Sequence, residues 1–300
     1  AGIAVIHSAF NVIATVVLLP FGDVLVKMAC ATIRDTKEEK AISEEDQEFM
    51  ILESRFLSNP GIAIEQSKTA AKKMAEQSQN ALKLSFGLLD SFQEENAFRV
   101  EKIEAKVDRY EDELGTYLIK LNQKELSVED SHSLSIMLHC IGDFERISDH
   151  ALSIMKSAKE MWEKNAVFSP QAVKELHVME KAVVDIVDKA YAVFANQDIQ
   201  LAEEIEPLEE VIDELSRELK RRHVNRLRAG ECTIEMGFIL SDVTTSLERI
   251  ADHCSNIGVC VTQVREDLYD THSHLDSVKN APGELFHHEL EAARVNYMLP

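Results

Sequence analysis

The stretch Asp143-Phe144-Glu145-Arg146-Ile147-Ser148-Asp149-His150 returns about a hundred residues later as Leu247-Glu248-Arg249-Ile250-Ala251-Asp252-His253. A long segment repeated at such a distance restricts the chain to folds built from two copies of one unit. In each copy the Glu and the Asp stand four apart, so on a helix their carboxylates lie one above the other on a single face. Two carboxylates so placed suit hard cations that take oxygen ligands. A second pair of the same spacing precedes each copy, Glu104 with Asp108 and Glu209 with Asp213. The midpoint between the upstream and downstream pairs falls at Leu126-Ser127 in the first copy and at Gly230-Glu231 in the second. Ser127 is a good helix N-cap and Gly230 a natural helix stop. Two helices folded back at those points bring the four carboxylates of a copy to one level, roughly 30 Å from the turn at about 1.5 Å per residue.

The offset between copies leaves room for three helices each, and no strand-like alternation or hairpin turn interrupts them. Asn59-Pro60 and Ser169-Pro170 place a capping residue before a proline and open the first helix of each copy. Met74 and Met179 then occupy equivalent places. The reading is all-α, with helices near 60–93, 97–124 and 128–164, then 169–196, 198–228 and 231–269. Residues 59–269 thus divide into repeats 59–164 and 169–269, followed by a tail over 270–300. The tail carries His272, His274, His287 and His288 and a short helix from Glu284 to Met298. Its imidazoles have no repeating spacing and read as surface groups.

Charge is distributed unevenly. The chain of 300 residues has a net charge of −21, yet Asp23 and Lys27 are the only charged residues among the first 33 and cancel. The remainder is strongly acidic, which argues against nucleic acid as a partner and fits cations or basic surfaces. Ile3 to Ile33 is apolar enough to be membrane-embedded, divided by Pro20, with His7, Asn11 and Thr15 as a polar stripe. Arg34, Lys37 and Lys40 follow and favour a cytoplasmic position for what comes next. Residues 34–58 read as a linker, with Asp35 to Asp46 highly charged. The chain opens without Met in an apolar run, from which an upstream part of a longer protein is expected. The five cysteines, Cys30, Cys140, Cys232, Cys254 and Cys260, show no close spacing and read as reduced thiols.

Each expected hairpin gathers four acids and no thiolate, a set that suits magnesium, manganese, calcium or iron and suits zinc less well. Without cations the charges repel, and some carboxyls must be protonated or turned outward. Glu145 lies on the flank of the apolar stripe of Met137, Ile141, Phe144, Ala151 and Met155 and is not expected to be fully solvated. Arg146 and Arg249 point about 100° from the acids beside them and are expected to serve a neighbouring helix. Any single pair four apart is ordinary helix surface in a chain with 53 acidic residues. Four pairs at mirrored distances favour two sites.

The two motifs Asp143 to Ala151 and Leu247 to His253 closely resemble those of PhoU proteins. The resemblance covers roughly residues 60–265. It implies tandem three-helix bundles with metal ligands at Glu104, Asp108, Glu145, Asp149, Glu209, Asp213, Glu248 and Asp252, holding divalent or trivalent ions such as iron, magnesium, manganese or zinc. The run Ala4-Val5-Ile6-His7-Ser8-Ala9-Phe10-Asn11, with Leu18-Leu19-Pro20-Phe21, resembles the end of the membrane domain of bacterial sodium/phosphate cotransporters that carry a C-terminal PhoU-like domain. Residues Glu53 to Gln66 are similar to the segment joining the two parts in that family. This implies a parent in the inner or plasma membrane that moves phosphate with sodium, and a cytoplasmic regulatory bundle rather than an enzyme. The Gln- and Ser-rich substrate repeats of that family are absent here, so no residue is assigned to phosphate or sodium. Ser246 stands where the first copy has Asp143, a departure that bears on any auxiliary ligand in the second site.

Two other functions compete. A carboxylate-bridged di-metal enzyme needs Glu-x-x-His on two helices. His150 and His253 instead each follow an Asp directly, and Glu129 with His132 lies beside a turn. The other is a helical interaction module whose acids bind no metal.

Overall fold

The computed structural model describes His7, Phe10 and residues 48–265 and 284–300. Apart from His7 and Phe10, the expected membrane segment Ile3–Ile33 lies outside the described residues, as do the charged stretch Asp35–Asp46, His272 and His274. Among the described residues no helix is long and apolar enough to cross a membrane.

Among the described residues of 51–300 eight helices carry the fold: α1 (Pro60–Asp90), α2 (Glu94–Leu121), α3 (Val128–Glu163), α4 (Pro170–Asn196), α5 (Ile199–Ala202), α6 (Ile205–Arg228), α7 (Ile234–Arg265) and α8 (Glu284–Asn296). Short 3-10 turns at Met50–Leu52 and Ser54–Ser58 lead into α1. There is no strand among the described residues.

Local sequence sets the helix ends. Ser127 caps α3, its hydroxyl accepting from the Asp130 amide at 3.1 Å, and Ser169 caps α4 through the Ala172 amide at 3.3 Å. Asn59 precedes Pro60 as expected, but its side chain makes no capping hydrogen bond. Gly230 has φ +75°, the left-handed conformation that a glycine adopts without a Cβ penalty. Thr233 rather than residue 231 opens α7, accepting from the Met236 amide at 3.2 Å. The continuous helix expected over 198–228 is broken at Glu203–Glu204 into α5 and α6. Pro207 is the reason: its ring would meet the carbonyl four residues back in a continuous helix, and it is tolerated in the first turn of a new one.

Within the first repeat α1 and α3 run parallel. Ser78 Oγ donates to the Phe144 carbonyl and Ser85 Oγ to the Ala151 carbonyl, both at 2.8 Å. Both serines are buried, and Ala70, Ala71, Ala75 and Ala81 on the same helix are fully buried with them. Small side chains of this kind let two backbones approach closely enough for a short hydroxyl to bridge them. Helix α2 folds back against both α1 and α3, and α6 folds back against α4 and α7 in the second repeat.

The repeats meet chiefly along α3 and α7. His253 Nδ1 lies 2.9 Å from Asp143 Oδ1, Asn256 Nδ2 donates to the same oxygen at 3.3 Å, and Lys164 Nζ lies 2.6 Å from Glu235. A lesser antiparallel contact joins α1 to α4 through Asp90–His177 at 2.8 Å, Lys83–Asp188 at 3.0 Å and Glu76–Tyr191 at 2.7 Å. Helix α8 packs on α6, with Arg294 Nε 3.0 Å from Glu214, and Leu290 buried. Tyr297, just beyond the helix, donates to Asp185 at 2.6 Å. A lone helix of this length is marginal, and these contacts hold it.

Candidate metal centres

The back-folding of α2 on α3 and of α6 on α7 faces each upstream acid with a downstream one. In the second repeat Glu209, Asp213 and Asp252 converge until one oxygen of each lies within 4.8 Å of the others. No other group of three acids, histidines or cysteines does so among the described residues. Glu209 is 5% exposed, whereas Asp213 and Asp252 are half-buried, so the cluster opens to solvent on one side. Burial raises the Asp213 carboxyl above its ordinary value, and the charges of Glu248 and Asp252 raise it further. An oxygen-only set of this spread fits a cation whose bonds are about 2.0 to 2.6 Å long.

Glu248, the fourth expected ligand, is drawn to Lys220, whose Nζ lies 2.9 Å from Glu248 Oε2. Lys220 follows Asp213 by seven residues and so shares its helix face, a signal present in the sequence that the spacing of acids alone did not use. The corresponding place seven residues after Asp108 is Gly115. The first repeat has no lysine there.

The four acids of the first repeat are neighbours without reaching the same convergence. The Glu104 carboxyl is raised by burial, then by Asp149 and by Asp108. Glu145 is pushed up to about 7 by burial, with the Asp149 charge adding and Arg146 opposing. Asp108 is exposed. One carboxyl raised toward neutrality and another turned to water is how four acids at one level relieve their repulsion.

The arginines depart from expectation. Arg146 lies 3.3 Å from Glu145 and 3.2 Å from Asp149, and Arg249 lies 3.0 Å from Asp252. They serve acids of their own helix because a long side chain bends back across the roughly 100° that separates neighbouring positions to reach the residue three along. Asp143 likewise faces the other repeat, where His253 and Asn256 hold it. The His150 and His253 rings lie 5.8 Å apart, and burial and His253 lower the His150 value. Neither histidine joins the converged acid group. In the tail, His287 and His288 belong to no such group, and Cys140, Cys232, Cys254 and Cys260 are free thiols.

Comparison with known proteins gives one family. The PhoU domain matches residues 71–158 and 176–261, one match per repeat. The chain is 30% identical over 115 residues to the phosphate-specific transport system accessory protein PhoU homolog 1 of Thermotoga maritima. That alignment covers 38% of this chain and about half (49%) of the relative. It is 22% identical over 160 residues to the PhoU homolog of Deinococcus radiodurans, covering 53% of this chain and 74% of that protein. The fold is shared with the crystal structure of PhoU from Pseudomonas aeruginosa, with a TM-score of 0.58 and 21% identity over 71% of this chain and 98% of the other. It is shared also with the phosphate transport system regulatory protein PhoU from Streptococcus pneumoniae, with a TM-score of 0.63 and 17% identity over 71% and 100%.

Proposed function

The chain belongs to the PhoU domain family, and from that premise we propose that it is a regulatory helical module of phosphate transport that binds hard cations and performs no catalysis. The observation that carries the cation reading is the convergence of Glu209, Asp213 and Asp252 within 4.8 Å, on a pair of helices whose sequence pattern also occurs in the first repeat. We assign Glu104, Asp108, Glu145 and Asp149 to one site and Glu209, Asp213, Glu248 and Asp252 to the other. A bound iron, magnesium, manganese or zinc ion supplies positive charge. The residues around it supply oxygen ligands on facing helices, so that binding ties α2 to α3 or α6 to α7.

The apolar run Ile3–Ile33 and its resemblance to a sodium/phosphate cotransporter support a parent in the inner or plasma membrane. In that reading sodium and phosphate are cargo of the upstream domain, and residues 59–269 form the cytoplasmic module. The net charge of −21 supports the absence of nucleic acid among its partners. Sodium-dependent phosphate uptake by vesicles carrying the whole protein tests the parent, and a parent recovered only in the soluble fraction defeats it.

Elemental analysis of purified residues 58–300, with melting followed as manganese, magnesium, iron and zinc are added, tests the cation sites. Bound metal and a concentration-dependent rise in Tm are expected. A metal-free interaction module is the second reading, favoured by the pairing of Lys220, Arg146 and Arg249 with the acids. Protein with no metal and a Tm that no cation moves selects it.

A further inference from the structure

A separate cleft of about 510 Å³ lies where α4 begins, between that helix and the last turns of α6. Among its lining residues Lys174, Arg222 and Arg226 outnumber Glu175 and Glu231, while Glu218 outside the lining holds Arg222 Nε at 2.9 Å and leaves Arg222 Nη1 to the cleft. Helix α4 adds the positive end of its dipole, with Ser169 and Pro170 at the rim.

Two further observations point to an anion. Arg226 is 8% exposed; its Nη1 donates to Glu175 at 2.7 Å, while its Nε and Nη2 have no hydrogen-bond partner among the described residues. Buried guanidinium donors without acceptors are costly, and an oxyanion is the acceptor that best relieves them. Moreover, the mouth of the cleft already holds an acceptor oxygen. The main-chain oxygen of Pro300 receives Arg222 Nη1 at 2.7 Å and Gln171 Nε2 at 3.3 Å. Donors on two helices converge on that oxygen from different directions.

We propose that this cleft is a binding site for a small tetrahedral oxyanion of the phosphate or sulfate class, with the Pro300 oxygen as its intramolecular competitor. The oxyanion takes the place of the Pro300 oxygen on Arg222 and Gln171 and gains Lys174 at the rim, and Arg226, whose unpartnered Nε and Nη2 lie buried behind the cleft surface, turns toward it. Donors approaching from several sides match a tetrahedral anion better than a planar carboxylate, which prefers two parallel donors. Glu175, 1% exposed and held by Arg222 and Arg226, fixes both guanidiniums in place. Binding therefore releases Pro300, beyond the end of α8, from Arg222 and Gln171.

Isothermal titration of the full chain with inorganic phosphate, sulfate and acetate in turn tests this, with a chelator present so that no metal at the acid clusters binds the anion. Phosphate or sulfate is expected to bind once per chain and acetate at least about tenfold more weakly. Lys174→Gln, at an exposed position, should weaken binding several-fold, and Arg222→Gln by about tenfold or more. Deleting Met298–Pro300 should strengthen it. Glu209→Gln with Asp213→Asn, which disables the second acid cluster, should leave it unchanged, so that failure here is separate from failure of the cation reading. The proposal is overturned if the deletion variant gives no heat with about 10 mM phosphate or sulfate. Binding that survives both Lys174→Gln and Arg222→Gln, or equal binding of acetate, overturns it as well.

Discussion

Replacing Glu180 by Gln should flatten the fall in stability of this protein between pH 5 and pH 8. Glu180 is 9% exposed on α4, where burial raises its carboxyl from 4.5 to about 7. His177 on the same helix opposes that rise, and Asp90 at the end of α1 adds to it. In the unfolded chain the carboxyl ionises near its ordinary value. Between that value and 7 the folded state holds a proton that the unfolded state has lost, so stability falls as pH rises. His177 acts in the same direction. Its hydrogen bond to Asp90 raises it above 6.5, so its contribution is present below 6.5 and is lost as pH passes its folded value. For Glu180 a rise of roughly 2.5 units corresponds to about 3.4 kcal/mol over the whole titration, of which about 2.5 kcal/mol falls between pH 5 and pH 8. Set against a typical total of about 5 to 15 kcal/mol, the effect is measurable, and it equals about 5 to 10 °C in Tm for a domain of this size. Urea unfolding of wild type and Glu180→Gln at both pH values is the assay. The quantity that matters is the change in their difference, since the constant cost of a buried amide cancels. A difference that is the same at pH 5 and pH 8 refutes the reasoning.

Three other outcomes follow from the contacts described. Glu145→Gln with Asp149→Asn should raise the stability of metal-free protein by relieving repulsion and should blunt stabilisation by metal, which for wild type is about 2.7 kcal/mol at a hundredfold excess over Kd. Melting with and without manganese checks this, and equal stabilisation of both proteins counts against the first site. Glu175→Gln removes the carboxylate shared by Arg222 and Arg226 and should cost about 3 to 5 kcal/mol in urea unfolding, because two guanidiniums lose their buried partner. Gly237→Ala places a Cβ 2.6 Å from His223 Nε2, and the displacement should cost about 1 to 3 kcal/mol by the same measurement.

The fold was legible because its signals are local and occur twice. Ser127, Gly230 and the two prolines mark turns by their own chemistry, and acids four apart declare a helix face without reference to any neighbour. Pro207 carried an equally local signal for the break before α6, which the helical periodicity around it hid. What could not be read was the balance of charge within each cluster. Mirrored spacing places four acids at one height but does not say which cation reaches them first, and Lys220 takes Glu248 while Arg146 and Arg249 take Asp149 and Asp252. The pairing of Asp143 with His253 is harder still, since it joins residues of different repeats and depends on how α3 lies against α7. Periodicity fixes which face of a helix is buried, and the register between two such faces is set by packing that no single segment encodes. That limit explains why the two sites, nearly identical in sequence, differ in space. Gly115 leaves the first cluster without a lysine on α2 at the place of Lys220, so that its nearby lysine is Lys156 on α3, which opposes the rise of Glu104, and the exchange of Asp143 for Ser246 makes the contact between the repeats one-sided. A duplicated sequence therefore yields two acid clusters of unlike geometry, and if both take the proposed cation their affinities should differ, Lys220 competing in the second for one of its four acids.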